Sequence, residues 1–371
     1  MGASLGFIPG FLATVLSEDL DVSRGKIGLI VGIYFGATGI GSIPAGRFTD
    51  KFGARNIATI NMLLVAASSL LIAVFDTYAM WIAGSVVGGM GYALGNTSTN
   101  VAIGHTVPLE RRTLAMSVKT SGVPLMATIA AATAPWAANV WSWQRVLVFN
   151  AVVAAITGLF TYLVLDDDRS ESTRGAAPTP LPKDFYWFGI AAFLLIGGSQ
   201  PLYSWTVSYL EESLDAPASL SGGIMAIASF TGVIVMICNG VWADRLGALK
   251  RIPLVMLLLS VSAFSVCLVI LGTVIGTFIV VIGLTLGVST QLAAIGTMHA
   301  AVIDKAPKSV GRATGITMTG YYLGALVTPA GFGLLVDISD TYIYSWLATL
   351  AILITAVGAW YRAGKIQAQQ D

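Results

Sequence analysis

The chain has 371 residues, of which 56% are apolar and only 11% are charged. Soluble proteins carry about 25% charged residues, so this chain has too little polar surface to face water on all sides. A formal net charge of +1 also excludes a nucleic-acid partner, because no basic surface is available to bind phosphates. The composition predicts an integral membrane protein.

Apolar runs between charged clusters predict twelve transmembrane helices. A bilayer core about 30 Å thick needs about 20 apolar residues of helix. One short run covers residues 1–16, and eleven full runs follow it. The full runs cover residues 27–46, 57–75, 79–103, 114–138, 146–165, 185–210, 219–241, 252–272, 275–301, 313–336 and 343–361.

The basic residues predict the orientation of these helices, since cytoplasmic loops are enriched in Lys and Arg. Sixteen of them fall on alternate loops, whereas the opposite side has only Arg24, Lys26 and Arg145. The sixteen are Arg47, Lys51, Arg55, Arg111, Arg112, Arg169, Arg174, Lys183, Arg245, Lys250, Arg251, Lys305, Lys308, Arg312, Arg362 and Lys365. We therefore expect a multi-pass protein of the cytoplasmic (inner) membrane, with a cytoplasmic C-terminus.

An internal repeat divides the chain into two halves. Shifting the sequence by 194 residues aligns GRFTDKFGAR, from Gly46, with GVWADRLGAL, from Gly240. The same shift aligns LSEDLDVSRGKIG with LEESLDAPASLSGG. The repeat predicts two six-helix bundles at residues 1–165 and 185–371, joined by an acidic and proline-rich cytoplasmic linker at 166–184. Helix one is shorter than its repeat partner, which suggests that about nine residues are missing before it.

The signature string G-x-x-x-D-[RK]-x-G-x-[RK] resembles the signature loop of the major facilitator superfamily. The first copy carries it in Gly46, Asp50, Lys51, Gly53 and Arg55, and the second in Gly240, Asp244, Arg245 and Gly247. The resemblance implies two bundles that rock about a central cavity, with the Asp of each loop closing the cytoplasmic side and the Gly allowing close packing. Leu249 replaces the last basic residue of the second copy, so we expect a weaker second lock and a larger effect of Asp50→Asn than of Asp244→Asn. Alternatively, each string is only a glycine turn with solvated charges.

Lys119 is the one charged residue predicted to lie within the membrane, about 10 Å beyond Arg112 along the fifth helix. A Lys at mid-membrane costs roughly 2.5–3.5 kcal/mol and normally faces a cavity or a partner. All nineteen acidic residues fall at span ends or in loops. An anionic substrate is therefore the expected counter-charge. The string MSVKTSGVPL also resembles the fifth helix of cyanate permease and related anion carriers. Snorkelling of the Lys to the headgroups is the alternative.

Polar residues at similar predicted depths complete the candidate substrate site. Asn96 and Asn100 are expected near Lys119. The run from Gly197 to Pro201 is expected to interrupt helix seven near its midpoint. The remaining candidates are Gln200, Tyr203, Gln291, Tyr321 and Tyr322. Each could instead form an interhelical hydrogen bond.

These features predict a secondary transporter for a small organic or inorganic anion. It would have no cofactor and no metal, would act as a monomer among membrane lipids, and would have a proton as candidate coupling ion, by symport. A multidrug or metabolite exporter of the same superfamily is the alternative, although Ser85 stands where many members have Arg and Gly122-Val123-Pro124 departs from the antiporter motif. A membrane sensor would need an added module. An enzyme would need clustered His, Asp or Cys within the membrane, and neither feature is present in the sequence.

Overall fold

The computed structural model describes residues 2–165 and 180–367, and these residues form fourteen α-helices and no strands. Residues 166–179 of the predicted linker lie outside the described residues. The helices are α1 (Ser4–Phe11), α2 (Ala13–Asp19), α3 (Arg24–Phe52), α4 (Ala54–Phe75), α5 (Tyr78–Thr106), α6 (Arg112–Val140), α7 (Trp143–Val164), α8 (Tyr186–Ser204), α9 (Thr206–Leu214), α10 (Ala218–Leu246), α11 (Ala248–Ile275), α12 (Thr277–Lys305), α13 (Val310–Ser339) and α14 (Ile343–Gly364).

Eight of the described helices are long and apolar enough to cross a membrane: α3, α4, α7 and α10 to α14. Three further helices are also long, with 29 residues in α5, 29 in α6 and 19 in α8. In two places, consecutive helices are separated by a single residue: Leu12 separates α1 from α2, and Trp205 separates α8 from α9. Counting each of these as one broken span gives the twelve predicted spans.

The helix boundaries confirm the 194-residue repeat. Helix α3 runs from Arg24 to Phe52 and α10 from Ala218 to Leu246, so both ends are displaced by the same interval. Between α3 and α4, Gly53 has φ 83° and ψ 155°; between α10 and α11, Gly247 has φ 84° and ψ 165°. Positive φ is accessible to glycine at little cost, which explains why both strings need a glycine at this position.

Helices one and seven are broken one residue apart in the repeat. α1 ends before Leu12, and α8 ends before Trp205, where ψ rises to 13° and −1°. The Trp205 indole donates to the Pro329 carbonyl at 3.0 Å and its ring stacks on Phe332 with centroids 5.4 Å apart, so side-chain contacts hold the second break in place.

The predicted interruption at residues 197–201 is wrong, because α8 continues through this run to Ser204. A Cβ on Gly197 would lie 2.9 Å from the Thr328 side chain, and one on Gly198 would lie 2.7 Å from Leu353. The two glycines therefore permit close packing of α8 against α13 and α14. They do not unwind the helix.

The chain divides into two compact units. The first contains Met1–Thr106, Gly122–Pro180 and Ser309–Thr319. The second contains Val107–Ser121, Leu181–Lys308 and Gly320–Asp371. Each unit is thus one sequence half with a short segment exchanged from the other half. The exchanged segments hold the first turns of α6 and α13.

A hydrogen bond from an aromatic side chain to a carboxylate links the broken helix to the last helix region of each half. In the first unit, the Trp143 indole donates to Asp19 at 2.9 Å. In the second unit, the Tyr342 hydroxyl donates to Glu212 at 2.7 Å. The two carboxylates are one position apart in the repeat, so the two halves secure their short helices α2 and α9 in a similar way.

Candidate functional site

The first signature turn, residues 46–55, binds the beginning of α13 within the first unit. The Asp50 carboxylate accepts hydrogen bonds from the backbone N–H groups of Gly311 at 2.8 Å and Arg312 at 2.9 Å. These are the second and third residues of α13, where N–H groups have no partner inside the helix. The Arg312 Nε lies 3.6 Å from Asp50 Oδ2. The turn therefore places a negative charge at a helix N-terminus, which stabilises both.

Gly46 allows this approach, because a Cβ at this position would collide with the Gly311 carbonyl oxygen. Two basic residues of the turn lie over aromatic rings. The Lys51 ammonium lies 5.1 Å from the centroid of the neighbouring Phe52 ring, and the Arg55 guanidinium lies 4.9 Å from that of Tyr162 in α7.

The second signature turn, residues 240–249, repeats this arrangement within the second unit. The Asp244 carboxylate accepts from the backbone N–H groups of Thr113 and Leu114, each at 2.9 Å. These are the second and third residues of α6, so both carboxylates bind the same two positions of their target helices. A Cβ on Gly240 would lie 2.8 Å from Ser117 Oγ and 3.0 Å from Leu114 Cα. Glycine is needed for close packing here too.

A buried ionic network surrounds Asp244, and the sequence did not indicate it. The fully buried Arg251 of α11 donates to Asp244 at 2.9 Å, to Asp304 at the end of α12, and to the Leu109 carbonyl oxygen. Arg112 at the start of α6 pairs with Asp304 at 2.8 Å. A guanidinium can serve all of these acceptors because it has five donors in a fixed plane.

This network changes the expected strength of the two locks. Leu249 is 93% exposed and contributes nothing, but Arg251, two residues further on, supplies the missing positive charge. Asp50 and Arg312 are each 24% exposed, whereas Asp244 is 7% and Arg251 0% exposed. The second turn therefore does not lack a basic partner, and the absence of one was the reason for expecting a weaker second lock.

Lys119 lies two helical turns into α6, in the second unit, and is partly buried. Nearby, Ser117 packs between Gly240 of α10 and Gly296 of α12, since a Cβ on either glycine would meet its side chain. The charge of Lys119 also acts on the buried His299 of α12. The sequence did not indicate a role for His299. The packing of α6 against α12 brings it within the electrostatic range of Lys119.

The other candidate residues are divided between the two units. Asn96 and Asn100 are buried in α5 of the first unit, where the Asn96 amide approaches the Met318 sulfur at 3.3 Å. In the second unit, Gln291 Nε2 donates to Gln200 Oε1 at 3.1 Å, and Gln200 Nε2 donates to Ser204 Oγ at 3.4 Å.

The aromatic candidates also lie in the second unit. Tyr203 is partly buried near the end of α8. The rings of Tyr321 and Tyr322 in α13 meet edge to face with centroids 5.4 Å apart. Tyr322 is 5% exposed, so most of its ring is packed against other residues.

Comparison with known proteins decides the family. The sequence profile described as Major Facilitator Superfamily matches residues 1–329. The chain belongs to the Major Facilitator Superfamily. Members of this family are transporters, and the predicted fold class is confirmed: an all-α polytopic membrane protein with twelve helices in two six-helix bundles.

Three individual proteins illustrate the similarity of this superfamily member to known carriers. It is 22% identical to the nitrite extrusion protein of Bacillus subtilis over 95% of this chain and 91% of that protein. It is 21% identical to a protein of Cupriavidus necator named "Probable sulfoacetate transporter SauU", over 94% of this chain and 86% of that protein. The solved structure of the proton:xylose symporter XylE superposes with a TM-score of 0.80 at 12% identity, covering 97% of this chain and 93% of that one.

Proposed function

We propose that this superfamily member is a secondary transporter of small anions that works by rocker-switch alternating access. The observation that carries the proposal is the position of Lys119, a partly buried cation two turns into α6. A unit charge about 4 Å from an anion contributes about 4 kcal/mol at an effective dielectric of 20. Lys119 would therefore attract anions and repel cations along the transport path.

Two further features support an anionic substrate. The buried His299 lies on α12 near Lys119, and its imidazole can donate a hydrogen bond to an anion. Two of the similar carriers are named for anions, nitrite and sulfoacetate.

The two signature turns support alternating access. Asp50 in the first half binds α13 of the second half, and Asp244 in the second half binds α6 of the first half. These bonds must break if α13 is to separate from α3 and α6 from α10. We assign the gating role to Asp50 and Asp244. Close packing is the role of Gly46 and Gly240.

The remaining turn residues have supporting roles in this proposal. Gly53 and Gly247 shape the backbone after each carboxylate. Lys51, Arg55 and Arg245 mark the cytoplasmic face, as does the C-terminus. Residues 1–165 and 185–371 would act as the two moving bundles in the inner membrane, with a protein monomer as the transporting species and a proton as candidate coupling ion.

The test is binding and transport by Lys119→Ala and Lys119→Arg, with the exposed Lys365→Ala as control. The purified protein is screened by thermal shift against nitrite, sulfoacetate, acetate and 4-hydroxybenzoate, because ligand binding raises native stability. The active anions are then measured in proteoliposomes, in both directions. We expect Lys119→Ala to weaken anion binding at least about tenfold, which corresponds to 1.4 kcal/mol. Lys119→Arg should restore part of it, since a planar guanidinium does not reproduce a compact ammonium.

Two results would overturn the proposal. Unchanged anion affinity in Lys119→Ala, with the ligand-free melting midpoint also unchanged, would mean that Lys119 snorkels to the headgroups. Stabilisation of the wild-type protein by lipophilic cations, and by none of the anions, would favour a multidrug exporter.

A further inference from the structure

The amide pair formed by Gln200 and Gln291 has a defined direction. Gln291 lies in α12, is 4% exposed, and donates through Nε2 to Gln200 Oε1 at 3.1 Å. Gln200 lies in α8 and is partly exposed. Its own Nε2 donates to the exposed Ser204 Oγ at 3.4 Å. The carbonyl oxygen of Gln200 is thus occupied on the buried side, and its NH₂ group points to the exposed side.

The opposite direction is less favourable. In the observed direction the buried Gln291 carbonyl oxygen has no hydrogen-bond partner. If both amides were reversed, the buried NH₂ group of Gln291 would take that position, where no described side chain now bonds to the amide. Buried carbonyl oxygens lacking a partner are less rare than buried N–H groups lacking one. The surroundings of Gln291 therefore determine which end of Gln200 is presented.

The exposed end of this hydrogen-bonded series offers two donors, one from Gln200 and one from Ser204. Gln200 Nε2 has a second N–H beyond the one directed at Ser204. The Ser204 oxygen accepts from Gln200, which leaves its O–H free to donate. Polar side chains exposed to lipid are unfavourable within a membrane, so such groups normally face a water-filled path. An N–H and an O–H donor on that path fit the negatively charged oxygens of an anion.

We infer that Gln200 and Ser204 form an anion subsite and that Gln291 is the positioning residue that fixes the orientation of the Gln200 amide. This inference rests on the proposed anion transport. Gln200 lies about 21 Å along α8 from Tyr186, at 1.5 Å per residue, in the later part of that helix. The subsite therefore adds neutral donors to the path, whereas Lys119 supplies charge.

The test is a double-mutant cycle with Gln200→Met and Gln291→Met, which remove the amides but keep the length of the side chains. The probe is whichever of nitrite, sulfoacetate, acetate and 4-hydroxybenzoate binds the wild type, with Kd measured by titration. We expect Gln200→Met to weaken binding about tenfold, as for one lost hydrogen bond to a charged group. Gln291→Met should weaken binding about threefold or more in the wild-type background. With Gln200 already replaced, its effect should fall below about twofold.

The controls separate positioning from structural damage. Gln144→Met changes a partly exposed glutamine that donates to Asp76 in the first unit, and should leave Kd unchanged. The ligand-free melting midpoint of each variant checks that it is folded. A purely structural role for Gln291 would give the same loss in both backgrounds, and that result would overturn the inference.

Failure of the subsite is distinguishable from failure of the proposed transport. If the wild type binds a probe and Lys119→Ala weakens it, but Gln200→Met does not, the subsite is wrong and anion transport stands. If no probe binds the wild type, the anion proposal fails, and the subsite fails with it.

Discussion

Replacing Asp244 by Asn should destabilise the protein more than replacing Asp50 by Asn. Both carboxylates bind two backbone N–H groups at the start of a helix. Asn keeps one acceptor oxygen and loses the other together with the negative charge. The difference between the variants therefore comes from the arginine that each carboxylate pairs with, Arg312 for Asp50 and Arg251 for Asp244.

The structure gives the size of this difference. Either change loses one charge-assisted hydrogen bond, roughly 1.5–3 kcal/mol. At Asp50 water replaces part of this loss, because Asp50 and Arg312 are each 24% exposed. At Asp244 the change also removes one carboxylate from the fully buried Arg251. Removing one member of a buried ion pair costs about 3–5 kcal/mol, and Asp304 retains part of that interaction. We expect Asp244→Asn to cost about 2 kcal/mol more.

The assay is the melting midpoint of the detergent-purified protein without ligand. For units of this size, 1 kcal/mol shifts the midpoint by about 2–4 °C, so the two variants should differ by about 4–8 °C. Glu110→Gln is the control, since it removes an exposed carboxylate two residues before α6. An equal or larger loss in Asp50→Asn would refute the reasoning. The two changes Asp244→Asn and Arg251→Met act on one network, so Asp244→Asn should lower the midpoint less in an Arg251→Met background than in the wild type. An equal lowering in both backgrounds would also refute the reasoning.

Two other substitutions test single contacts. Gly46→Ala should lower the melting midpoint and the transport rate, because its Cβ would collide with the Gly311 carbonyl. Gly28→Ala in the same helix is the control and should change neither, because nothing lies within 4 Å of the new Cβ. Equal effects of the two variants would contradict the close approach. Tyr342→Phe should lower the free energy of unfolding by about 1.5–3 kcal/mol, because it removes the hydrogen bond from the Tyr342 hydroxyl to the Glu212 carboxylate. Burial, followed by this bond, raises the pKa of Tyr342 above its ordinary value of 10.0. The stabilisation is therefore complete below pH 10 and is lost as pH rises through the higher folded-state pKa, so the midpoints of wild type and Tyr342→Phe should converge only at strongly alkaline pH.

The sequence predicted most of the fold, because span length and the repeat depend on local properties. Apolar runs long enough for a bilayer gave the helices, and the 194-residue shift gave the equivalence of α3 with α10. The glycine and carboxylate of each signature turn could be assigned for the same reason. Gly53 and Gly247 both need positive φ, and this constraint is visible in the residue type.

The ionic network around Arg251 could not be predicted in this way. Its members come from the starts of α6 and α11 and the ends of α10 and α12, and tertiary packing brings them together. The sequence showed only that basic residues follow the second turn. It did not show which of Leu249, Lys250 and Arg251 would point inward. The break of helix seven was misplaced for a related reason, since the packing of Gly197 and Gly198 against other helices keeps α8 intact.

The difference between the two turns follows from two positions of the repeat. The 194-residue shift places Ile57 at the position of Arg251. Helices α5 and α12 each have 29 residues and begin at Tyr78 and Thr277, 199 residues apart, so aligning the two helices end to end places His105 at the position of Asp304. The first half thus has the carboxylate and the glycines without the buried guanidinium or its second acid. Water can replace the Asp50 bonds at lower cost than those of Asp244. We therefore expect the separation of α13 from α3 to cost less free energy than the separation of α6 from α10.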